Sequence, residues 1–109
     1  MADEPTEWTI EEYETPSGGV PVATFLAGLK DERAKHEAAA LLLLLRARGN
    51  TLRAPRSEPI GDGVFELRGH QVRIFYRFKP GRRIVLLDGI IKKQDKIPAE
   101  ALRRIRQYR

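Results

Sequence analysis

The chain contains no cysteine. That single absence excludes disulfides, thiolate nucleophiles and cysteine-ligated zinc together, and it fits a cytoplasmic setting. Long hydrophobic runs are missing as well. The longest spans residues 38–45, far short of the ~20 apolar residues that a membrane-spanning helix needs. The opening Met1-Ala2-Asp3-Glu4-Pro5 is acidic and has no apolar core, so it does not read as a secretory signal. There is no internal repeat, low-complexity tract or linker. The 109 residues are read as one soluble domain, 1–109, with a modest core and marginal stability.

Charge is plentiful and unevenly spread. Residues 1–45 hold three Lys/Arg against nine Asp/Glu, a balance of −6, whereas residues 46–109 hold seventeen against six, a balance of +11. A polycationic half joined to an acidic half points to a polyanionic partner, nucleic acid above all, against the plainer reading of a solvated basic surface.

The order of elements follows from periodicity and punctuation. Residues 8–13, with Trp8, Ile10 and Tyr13 in a β-rich stretch, suggest a first strand. After the turn signals at Pro16, Gly18 and Gly19, Pro21 opens a short helix on which Val22, Phe25, Leu26 and Leu29 recur at helical spacing. Asp31 caps a second helix that runs to about Arg48 and stops at Gly49-Asn50. Its apolar run must be covered on more than one side. Residues 51–63, with two prolines and two glycines, read as a loop. Three strands follow at 64–68, 72–79 and 84–91, joined by connections short enough to demand an antiparallel meander. Asp95 to Pro98 ends the meander, and Pro98 opens a final helix with Ala101, Leu102, Ile105 and Tyr108 on one face and arginines on the others. The expectation is an α+β, two-layer fold of order β-α-α-β-β-β-α, its C-terminal antiparallel meander packed on helices.

The strand Val72-Arg73-Ile74-Phe75-Tyr76-Arg77-Phe78 carries the most chemical information. With a period of two, Val72, Ile74, Tyr76 and Phe78 share one face while Arg73, Phe75 and Arg77 share the other. If helices cover the first face, the second is a partly open basic surface, with Arg68 near Arg73 and with Lys92, Lys93 and Lys96 beyond the third strand. Guanidinium groups donate paired hydrogen bonds to phosphate. Internal RNA cleavage needs an activated 2′-OH, a stabilised phosphorane and a protonated 5′-oxygen. Arginine and lysine serve the second need, and a tyrosine or lysine of depressed pKa the others. No metal-ligand constellation is present, so the expected chemistry uses no metal and no cofactor.

The run FELRGHQVRIFYRFKPGRRIVLLDGIIKKQDKIPAEALRRIRQYR, residues 65–109, resembles the second half of the RelE/ParE toxin superfamily. It is closest to the HigB-like, phage-derived branch. The resemblance rests on Glu-Leu-Arg, Arg-Ile-Phe-Tyr, Ile-Val-Leu-Leu and Lys-Lys-x-x-Lys-x-Pro in that order, before an Ala/Arg-rich helix. It implies a RelE-like fold, a ribosome-dependent mRNA endonuclease and a cognate antitoxin as partner. Carried over by position, Arg68 and Arg73 match the family's active-face arginines, and Lys92, Lys93 and Lys96 its lysine cluster.

The site expected on these grounds assigns catalysis to Arg68, Arg73, Lys93 and Tyr108, and RNA binding to Arg77, Lys92, Lys96 and His70. Each has a structural alternative: for Arg73 a salt bridge to Glu66, for Lys96 a solvated loop, for Tyr108 packing on the last helix, for His70 an ordinary turn residue rather than a proton shuttle. Tyr76, flanked by Ile74 and Phe78, reads as core. The competing functions are a ParE-like toxin that inhibits DNA gyrase by binding and an RNA-binding module without catalysis.

Overall fold

The computed structural model describes residues 7–93 and 96–109. The acidic start and the Asp95 strand end read from the sequence lie outside the described residues. The described elements are β1 (Thr9–Glu12), α1 (Pro21–Ala27), α2 (Glu32–Arg48), a 3-10 turn (Gly49–Thr51), β2 (Ser57–Gly61), β3 (Val64–Arg68), β4 (Val72–Lys79), β5 (Arg83–Ile91) and α3 (Ala99–Gln107).

Local chemistry sets most of these boundaries. Pro21 occupies the first turn of α1, where its missing N–H and fixed φ are harmless. The Asp31 carboxylate accepts the Arg33 N–H at 3.0 Å and caps α2. Glu32 in its first turn and Arg46 and Arg48 in its last complement the helix dipole. Gly49 ends the helix at a φ of 50°, and the Trp8 indole fills the space where a side chain would stand. Glycine is therefore required there on two independent grounds.

The five strands form one sheet in the order β1-β5-β4-β3-β2. β1 runs parallel to β5, and the other pairs are antiparallel. The α+β class and the meander expected from the sequence are thus present, with a strand added. The stretch read as a loop, residues 51–63, contains β2. Pro59 and Gly61 argued against a strand, yet β2 is the sheet's edge, where proline loses no ladder hydrogen bond, and a register shift between Pro59 and Gly61 absorbs the irregularity.

Both faces of the sheet are covered, so the helices and sheet make three layers where two were expected. On one, Val72, Ile74, Tyr76, Leu67, Ile84 and Leu86 pack with Ala34, Ala38, Leu41 and Leu45 of α2 and Val22 of α1. On the other, Val64, Phe75, Val85 and Leu87 pack with Ala101 and Ile105 of α3. A bulge on β5 makes this possible. Phe75 pairs with Asp88 and Tyr76 with Leu86, so Leu87 is extra, and Leu87 and Asp88 both serve the α3 side. The next residue, Gly89, returns to the α1 side, where the Phe25 ring lies against it. Among the described residues no helix is long and apolar enough to cross a membrane.

Candidate active site

The α3 helix covers its face of the sheet only in part. Beyond its N-terminal end lies a cleft of about 420 Å³, floored by β3, β4 and β5 and walled by Ile97, Pro98 and Leu102. Strand register decides which side chains reach it. Glu66 and Arg68, two residues apart on β3, share a face. Arg73 on β4 stands directly opposite Arg68, and Ile90 on β5 opposite Arg73. Lys92, Lys93 and Lys96 follow β5 and form the rim.

Two arginines directly opposite one another repel. Here Glu66 lies between them, with Arg68 Nε at 3.4 Å from Oε1 and Arg73 Nε at 3.4 Å from Oε2. Glu58 on the edge strand accepts from Arg68 Nη1 at 2.8 Å. The ladder Glu58–Arg68–Glu66–Arg73 is therefore balanced in charge, and the positive excess of the cleft comes from the three lysines. Arg73 is 6% exposed, and its guanidinium also donates to the Gly69 carbonyl and to the Val72 carbonyl at 3.2 Å.

Glu66 is equally buried. Burial pushes its carboxyl up. The charges of Arg68, Arg73 and Lys92 pull the other way, Glu58 adds to the upward push, and the balance leaves the group above the usual carboxylate range. A carboxylate in that state is a stronger base than an exposed one, and it faces an opening lined with cations.

Of the residues expected at the site, Arg68, Arg73, Lys92, Lys93 and Lys96 converge on this cleft. Three do not. Arg77 shares the α3 face with Arg73 and is as buried, at 8% exposed, but it is not among the residues that line the cleft. It donates to the Tyr108 carbonyl at 2.9 Å, to the Arg106 carbonyl at 3.0 Å and to the Asp62 carbonyl. It clamps the end of α3 to the sheet and is not a surface cation. Tyr108 stacks on Tyr13 with ring centroids 4.7 Å apart, in a separate groove beside Asp88, Gly89 and Arg104. His70 sits in the β3–β4 turn and lines a small recess against α2 with Glu37 and Arg56. Tyr76 is core, its hydroxyl 2.5 Å from that of Ser57.

Sequence reasoning named Glu66 only as a structural partner. Its signal was present: a Glu-x-Arg step places carboxylate and guanidinium on one strand face, and a short hairpin sets the next arginine opposite.

Residues 24–109 match the model of the family described as Phage derived protein Gp49-like. The fold is similar to that of a chain in the crystal structure of the toxin–antitoxin complex RelBE2 from Mycobacterium tuberculosis. The TM-score is 0.52 at 18% identity, over 85% of this chain and 100% of that one. At that identity the likeness is one of fold. No curated protein matches the chain.

Proposed function

The chain belongs to the phage-derived Gp49-like family, a RelE/HigB-type toxin family, and from that premise we propose that it is the toxin of a toxin–antitoxin pair and an endoribonuclease acting on mRNA at the ribosome. The observation that carries the reading is the convergence of Arg68, Arg73, Lys92, Lys93 and Lys96 on one open cleft around the buried Glu66.

In this reading Glu66 takes the proton from the ribose 2′-OH, and the freed oxygen attacks the adjacent phosphorus. Arg68 and Arg73 face the charge that develops on the phosphorane oxygens. The bond from phosphorus to the 5′-oxygen breaks, and Lys93 on the rim protonates the leaving oxygen. The products are a 2′,3′-cyclic phosphate and a 5′-OH end. Lys92 and Lys96 hold flanking phosphates.

The test is inducible expression with mapping of cellular RNA 5′ ends, alongside Glu66→Gln and Arg73→Lys. The wild type should generate new 5′ ends within translated messages. Glu66→Gln should lower the purified protein's cleavage rate by about 100-fold or more while leaving the fold intact. The acid limb of the wild-type rate profile should lie above the ordinary carboxylate range, because the base is a carboxyl raised by burial. Wild-type-like cleavage by Glu66→Gln removes the assignment of the base. DNA breakage without RNA cleavage replaces the whole reading with gyrase inhibition.

A further inference from the structure

We propose that Glu37, on α2 and outside the cleft, is a positioning residue that sets how Arg73 meets Glu66, by holding the β3–β4 turn in place. The inference rests on the reading of the cleft as the site of cleavage.

The contacts run in one direction. Glu37 Oε1 accepts the backbone N–H of Gln71 at 3.0 Å and that of Val72 at 2.7 Å, and Oε2 accepts that of His70 at 2.8 Å. Three consecutive amides thus converge on one carboxylate, the arrangement of an anion nest. Across the same turn, the Gly69 N–H donates to the Val72 carbonyl at 2.9 Å, and the Gly69 carbonyl accepts from the Arg73 guanidinium. Arg73 Nε lies 3.4 Å from Glu66. The path from helix to site is a carboxylate, three amides, one carbonyl and one guanidinium, each link with a fixed donor and acceptor.

Two further facts single out Glu37. A side chain at Gly69 would place its Cβ 2.5 Å from the Glu37 carboxyl, so any residue but glycine there displaces that carboxylate from the turn amides. Burial would raise the Glu37 carboxyl, but the amides of Gln71, Val72 and His70, with the His70 charge, outweigh it and hold the group below the usual range. Asp31, at the start of the same helix, adds a weaker tie to Gln71 Nε2 at 3.2 Å.

The role differs from simple stabilisation in what it moves. Loosening the turn withdraws the Gly69 carbonyl and leaves the Arg73 guanidinium with only the longer bond to the Val72 carbonyl, at 3.2 Å, to fix its distance to Glu66. The Glu66 carboxyl loses part of the nearby positive charge that lowers it, so it titrates at higher pH. The cleavage rate at saturation falls, while the lysine rim still binds RNA.

The experiment compares Glu37→Ala, Glu37→Gln and Gly69→Ala in the full chain by 13C NMR titration of the Glu66 carboxyl and by steady-state cleavage of an RNA oligonucleotide. Expected are an upward shift of the Glu66 titration in Glu37→Ala and Gly69→Ala, and a kcat lowered about tenfold or more with KM little changed. Glu37→Gln, which keeps one accepting oxygen, should be intermediate. A Glu66 titration unchanged in folded Glu37→Ala overturns the proposal. If Glu37→Ala does not fold, an unchanged titration in folded Gly69→Ala or Glu37→Gln does the same. The titration is read whether or not the wild type cleaves RNA, so failure of the positioning role and failure of the nuclease reading give different results.

Discussion

Replacing Arg77 by methionine gives the sharpest division between a structural and an RNA-binding arginine. The substitution keeps an unbranched side chain of similar length and removes every donor. Three backbone carbonyls, those of Asp62, Arg106 and Tyr108, lose their partner at once. Hydrogen bonds to a charged group contribute roughly 1.5–3 kcal/mol each. The three share one guanidinium and are not independent, and two of the carbonyls lie at the end of α3 where water can replace the donor. A net loss of about 3–4 kcal/mol follows, a large part of the ~5–15 kcal/mol that stabilises a domain of this size. At roughly 4 °C per kcal/mol the melting temperature should fall by about 12–16 °C. Arg77→Lys, which restores one donor, should recover part of that. Urea unfolding and thermal circular dichroism measure the loss, and binding of a non-cleavable 2′-O-methyl RNA at several salt concentrations measures the alternative. If Arg77→Met unfolds within about 0.5 kcal/mol of wild type and the salt dependence of RNA binding weakens, the clamp is wrong and Arg77 is a phosphate contact after all.

Other expectations are more local. Ser57 and Tyr76 are buried with their hydroxyls 2.5 Å apart, so Tyr76→Phe should cost about 1–3 kcal/mol by stranding the serine; adding Ser57→Ala should return part of it, and strict additivity in a double-mutant cycle would contradict the pairing. Lys93→Ala and Lys96→Ala should each reduce the log–log salt slope of RNA binding by about 0.7, the increment for one single-strand phosphate; an unchanged slope places the RNA elsewhere. Glu66 also sets a stability trend. Its folded carboxyl is raised by burial, against Arg68, Arg73 and Lys92 and with Glu58, so the folded state holds that proton longer than the unfolded chain. Its contribution to stability should therefore decline as pH climbs from the ordinary carboxylate value through the raised one. A Glu66→Gln variant with the same pH dependence of unfolding as wild type would refute this.

Much of this architecture is legible in the residues because local and long-range preferences agree. The cap at Asp31, the stop at Gly49 and the alternation of Val72, Ile74 and Tyr76 each specify one outcome. Where sequence reasoning failed, it lacked the partner in space. Pro59 reads as a strand breaker until the strand is known to be an edge. Arg77 and Arg73 have the same parity on one strand and look equivalent. Their difference comes from α3, whose C-terminal carbonyls hold Arg77 while Arg73 lines the cleft at its N-terminal end, and nothing in the strand records that. Tyr108, expected on the apolar face of the last helix, lies just past its end in extended backbone, and its ring stacks on Tyr13 instead of reaching the cleft. Strand register brings Arg68 beside Arg73, but strand alternation turns only one of Lys92 and Lys93 inward, Lys93 by preference; both reach the rim because β5 ends at Ile91, before them. The carboxylate between the two arginines was visible, but read only as a counter-ion.

The parallel pairing of β1 with β5, Thr9 against Arg83 and Glu12 against Leu86, has a consequence for how the molecule comes into being. Among the described residues β1 has no strand beside it but β5, so its ladder waits until β5 has emerged from the ribosome. Closing so long a loop in the chain is entropically unfavourable and slow. The α2 helix and the β3–β4 hairpin can form from local contacts well before that. Trp8, which packs against Gly49 and Phe78, docks together with β1. Its fluorescence should therefore report the final phase of folding, lagging behind the helical signal.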